Sequence, residues 1–142
     1  MDTGQHIYLF LMATTMWTMF FLAGIPSNYY QSWPILWQMV GVVIVPAIAL
    51  GWVTYLRVRT MDARRAAATS IWMALYFTAP FLIYDWIYIG MHLGFGWSFL
   101  STHWYLSVFY IIPWLLLPPI GFWAGRRRIP FRREQKALHP RL

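Results

Sequence analysis

Apolar residues fill this chain in four blocks, broken by short polar stretches, and each block is long enough to cross a bilayer as a helix. The blocks lie at 7–24, 35–56, 67–94 and 104–124. A span needs about 20 residues with few charges. Between Asp2 and Arg57 there is no charged side chain at all, and between Ala66 and Gly125 there is one, Asp85. Such runs aggregate in water but are the expected content of spanning helices. The pattern predicts an all-α integral membrane four-helix bundle forming a single membrane domain.

The breaks agree with that division. The first block ends in Gly24-Ile25-Pro26-Ser27-Asn28, followed by Tyr29, Tyr30 and Trp33, aromatics that favour a membrane interface. The second stops at Arg57, and Arg57, Arg59, Asp62, Arg64 and Arg65 make a charged connection to the third. The fourth is closed by Arg126, Arg127 and Arg128 and followed by a basic tail over 126–142. Prolines Pro46, Pro80, Pro113, Pro118 and Pro119 fall inside the later helices, where each removes a backbone donor.

Charge sets the orientation. The net charge is +7, and every Lys and Arg lies in the connection or the tail, whereas the loops near Tyr29 and Ser98 have none. Juxtamembrane arginines set topology and touch anionic lipid, and this reading needs no nucleic acid as a partner. Four spans place both basic regions on one side, so both termini are expected to be cytoplasmic, in a plasma (inner) membrane. The first block has no basic n-region before it, which predicts an uncleaved helix. With no cysteine, thiol redox chemistry, thiolate metal sites and disulfides are excluded.

Asp85 carries the strongest chemical question. Eighteen residues beyond Ala67, it lies roughly 27 Å along the third helix, near the far side of a core about 30 Å thick. An acid there should be protonated or hydrogen-bonded to a donor from another helix. On a regular helix Thr78, Asp85, Tyr88 and His92 fall on one stripe. Gln38, His103 and Trp104 come to the same level from the other helices, with Trp97 in the last loop. Together these residues could line an outward-facing aromatic pocket, with Asp85, Tyr88, His92, Gln38, Trp97, His103 and Trp104 as ligand-binding candidates. An interfacial aromatic belt accounts for many of the same side chains.

Three functions fit. The first is binding of a hydrophobic or amphipathic small molecule, or a lipid, in that pocket, as a transporter or a transporter subunit. The second is an integral membrane enzyme on a lipid-like substrate, with Asp85 as general acid or base and His92 assisting, although one acid and peripheral histidines make a thin catalytic set. The third is a structural or assembly subunit of a larger membrane complex, or a homo-oligomer. His92 and His103 could in principle hold a haem or, with Asp85, a metal ion, but nothing in their spacing selects either, so no metal or cofactor is assigned. Gly90 and Gly94 form a small-x3-small pattern that suggests close helix packing.

Overall fold

The computed structural model describes residues 3–24 and 28–126, apart from the side chains of residues 28 and 29. The tail beyond Arg126 and the breaker residues 25–27 lie outside the described residues. Among the described residues all regular structure is helical, dominated by four long helices: α1 (Thr3–Leu22), α2 (Ile35–Val58), α3 (Ala63–His92) and α4 (Trp104–Arg126). A short helical turn, Asn28–Gln31, leads into α2, and two more, Gly96–Ser98 and Phe99–Thr102, lead into α4. Helices α2, α3 and α4 are long and apolar enough to cross a membrane. α1 is 20 residues long and carries Gln5, His6 and four threonines among its apolar side chains.

Local chemistry sets the helix ends. Pro34, extended at ψ 140°, precedes α2, and proline suits a helix start because its missing N–H would be unpaired there. Asp62 caps α3, its side chain accepting a hydrogen bond from the Arg65 backbone N–H at 3.0 Å, which satisfies one of the orphan donors of a first turn. α1 starts four residues before the apolar block, and His6 at that end packs edge-on against Trp72 of α3.

Cross-helix contacts give the directions. His6 meets Tyr76, Thr14 meets Tyr84 and Trp17 meets Asp85, so numbering rises together and α1 runs parallel to α3. Gly51 lies against Leu116 and Ile120, and Tyr55 against Trp123, so α2 runs parallel to α4. The central pair, α3 and α4, is antiparallel, since Phe81 packs on Phe109 while Ala63 approaches Gly125. The start of α1, the 59–62 connection and the end of α4 therefore share one end of the bundle, where the Arg57 guanidinium lies 5.0 Å over the Tyr8 ring. We refer to it as the arginine end, and to the other as the aromatic end.

Close packing of α3 on α4 rests on a glycine pair that the sequence reading passes over. A Cβ at Gly121 would fall on Ser70 Oγ and 2.8 Å from the Ala66 carbonyl oxygen, and one at Gly125 would lie 2.5 Å from Ala63 Cα. Small residues that let two backbones approach are the usual basis of helix association in lipid. Gly90 and Gly94, the pair expected in that role, act differently: Gly90 faces Trp86 of its own helix, and Gly94, at φ +79°, ends α3. Further along the interface, buried Phe77, Phe81, Phe109 and Leu117 form the core.

Both π-helical stretches lie toward the aromatic end, Met39–Ile44 in α2 and Trp86–His92 in α3. The first sits directly before Pro46, whose missing N–H removes a rung of the ladder. Tyr30 exploits the opened turn: its hydroxyl donates to the Trp37 carbonyl at 2.8 Å, in space that a Cβ on Gly41 would occupy.

Candidate functional site

Asp85 is buried between three helices, with 1 % of its surface exposed. Trp17 of α1 donates its indole N–H to Oδ1 at 2.8 Å, and Tyr110 of α4 donates its hydroxyl to Oδ2 at 2.5 Å. The sequence reading expected a donor from another helix, and two helices supply one each. Hydrogen bonds to a buried acid from rigid neighbours remove most of the cost of keeping it out of water. A third bond ties the same region, from Thr78 Oγ1 to the Tyr110 carbonyl at 3.3 Å, one residue from the carbonyl that Pro113 leaves without its usual partner.

The expected stripe on α3 divides at the π-helical turn. Its wider i to i+5 spacing shifts the faces of residues beyond Asp85. Tyr88 meets Phe21 of α1 edge-on at 4.8 Å and stacks on His92 at 5.7 Å, and His92 is exposed. Thus Thr78 and Asp85 share a cluster through Tyr110, while Tyr88 and His92 form a separate aromatic pair.

The remaining candidates form a cap over the aromatic end. Gln38 is buried, and its amide donates to the Trp33 carbonyl at 2.7 Å and the Gln31 carbonyl at 3.2 Å, so it fastens its own loop. Gln31 in turn donates to the Thr102 carbonyl at 3.2 Å, joining the loop before α2 to the loop before α4. His103 is fully buried, edge-on to Phe95, with Nδ1 3.1 Å from Thr102 Oγ1 and Nε2 without a partner among the described residues. Burial pushes its pKa below the ordinary histidine value, because the imidazolium would lose its water. Trp97, 63 % exposed, stacks on Trp86 with centroids 4.0 Å apart, and Trp104 lies edge-on to Tyr105. Among the described residues no three or more His, Asp and Glu side chains converge where a metal ion could be held.

Trp17 and Tyr110 are the residues the sequence reading missed, although a signal for both was available. Indole N–H and phenol are uncharged donors on largely apolar rings, which long apolar helices can aim at an interior carboxyl without adding charge.

Two cavities stand out, and both open sideways through the helix surfaces. One, of about 560 Å³, runs between α2 and α4 along Ala47, Gly51 and Tyr55 on one side and Leu116, Ile120 and Trp123 on the other. The second, of about 480 Å³, lies between α1 and α3 over Phe10, Tyr76, Pro80 and Tyr84. Neither is lined by Gln38, Asp85, Tyr88, His92, Trp97, His103 or Trp104.

Comparison of the chain with protein-family models, with curated proteins and with solved structures finds no match.

Proposed function

We propose that this is a non-enzymatic membrane protein that binds a hydrophobic or amphipathic molecule, lipid included, drawn sideways from the bilayer, and that it works as a small transporter or as a subunit of one. The carrying observation is the contrast between a closed polar cluster and open apolar grooves. Asp85 has both oxygens engaged at 1 % exposure, while a groove of about 560 Å³ between α2 and α4 faces outward with almost purely apolar walls. An apolar ligand site needs concave apolar walls, which the grooves supply and the filled aromatic cap does not.

On this reading all four helices span a plasma membrane with the arginine end cytoplasmic, in keeping with the bias of basic residues toward that side. The aromatic side chains first read as pocket walls act as a belt and cap. Catalysis by Asp85 and His92 fits poorly, because the acid is enclosed and the histidine belongs to a different cluster; a general acid must reach its substrate within hydrogen-bond distance.

A second reading keeps a specific observation of its own. The grooves are also the shape into which a partner helix would pack, which would make the protein an assembly subunit. Titration of the purified protein in detergent micelles with a brominated single-chain amphiphile separates the two. Saturable quenching of tryptophan emission, competed by the unbrominated compound, supports ligand binding. Quenching that rises linearly with the micellar fraction of amphiphile contradicts it.

A further inference from the structure

We infer that the groove between α2 and α4 holds one acyl chain of an anionic phospholipid, with its phosphate at Arg59 and Arg126. The inference rests on the reading of the grooves as ligand sites and names the ligand class for one of them.

Helix geometry places the charges. Tyr55 and Trp123 form the groove walls nearest the arginine end, with ring centroids 6.2 Å apart. One further turn of each helix, at i+4 from Tyr55 and i+3 from Trp123, brings Arg59 and Arg126 onto the same two faces. Both are exposed. Among the described residues the one ion pair joins Arg65 to Asp62 at 3.4 Å, so that acid is engaged elsewhere. An apolar trough thus opens, at one end only, beneath two cations from different helices.

The dimensions suit a lipid chain. From Ala47 to Tyr55 the α2 wall rises about 12 Å, most of the roughly 15 Å depth of one leaflet's hydrocarbon. Gly51 forms the floor, with the Leu116 and Ile120 side chains reaching toward it from α4. Anionic headgroups are attracted to basic residues at a membrane surface, and arginine pairs with phosphate through two parallel N–H bonds. A second copy of this chain is the poorer occupant, because a two-fold contact through the groove would set Arg59 and Arg126 against the same pair in the partner.

The test is native mass spectrometry of the full protein, delipidated in detergent and then offered phosphatidylglycerol or phosphatidylcholine with identical acyl chains. The wild type should retain phosphatidylglycerol in preference, by about fivefold for each arginine engaged. The R59Q/R126Q double variant should bind both lipids equally, and Ala47→Trp, which fills the trough, should retain less of either. If Ala47→Trp fails to fold, Ile48→Trp at the exposed wall gives the same reading. Equal retention by the wild type, or a preference unchanged in the double variant, overturns the headgroup assignment. A dimer abolished by the filling variants assigns the groove to a second copy and also overturns it. Saturable amphiphile binding by a wild type that shows no preference between the two headgroups would show that the broader reading survives although this one has failed.

Discussion

Trp17 and Asp85 lie 68 positions apart and meet through a 2.8 Å hydrogen bond from the indole N–H to the carboxyl. With Tyr110 on the other oxygen, the acid joins α1, α3 and α4 at one level. A buried polar group satisfied on both sides adds little net stability but fixes which residues face each other, whereas removing one partner leaves a buried group unpaired.

The clasp should therefore be strongly non-additive. Trp17→Phe and Tyr110→Phe are each expected to destabilise the fold by about 1–3 kcal/mol. In an Asp85→Leu background, where no acceptor remains, the same changes should cost much less. Double-mutant cycles by denaturant unfolding in detergent measure this coupling, expected at about 0.5–3 kcal/mol. Additive costs would mean that Asp85 is solvated rather than clasped.

Close approach of α3 and α4 should make Gly121 far less tolerant than the exposed aromatics. Gly121→Val must displace Ser70 or the Ala66 backbone, at a cost of about 1–3 kcal/mol for overpacking. Trp97→Ala, at a largely exposed ring, should change stability much less. Comparing the two melting temperatures in one detergent checks the ranking.

The buried His103 ring predicts loss of stability in acid. Its folded pKa is depressed, so below the ordinary histidine value of about 6.5 the unfolded chain binds the proton more readily than the folded one. Stability should accordingly hold above that value, fall as pH drops through it, and level off once pH lies below the folded pKa. A series of unfolding curves at falling pH should show this decline, and His103→Phe should flatten it.

Topology is testable without purification. Reporters fused at Gln31 or Ser98, at the aromatic end, should behave as exported, and one at Asp62 as cytoplasmic. An exported reporter at Asp62 would invert the orientation proposed for the arginine end.

Much of this architecture was legible because membranes constrain sequence so tightly. Three helices fall within a few residues of the apolar blocks that predict them, since in lipid the backbone must pair with itself and charge marks where it leaves. That Asp85 needs a donor from another helix was readable for the same reason. Its partners were not, because the facing of a helix depends on its turn: the π-helical stretch at Trp86–His92 takes Tyr88 and His92 off the face that a regular helix gives them. Gln38 looked like a pocket residue because its use on the Trp33 and Gln31 carbonyls depends on a loop conformation that composition does not encode. The grooves were invisible for a related reason, since they arise from two helices lying side by side.

Photo-crosslinking with a diazirine-bearing lipid in reconstituted membranes, followed by peptide mass spectrometry, tests lateral binding most directly. Labelling that saturates at Ile48, Trp52 and Trp123 and is competed by unlabelled lipid is the predicted result. Saturable labelling confined to Tyr88, Trp97 and Trp104 at the aromatic end would contradict it.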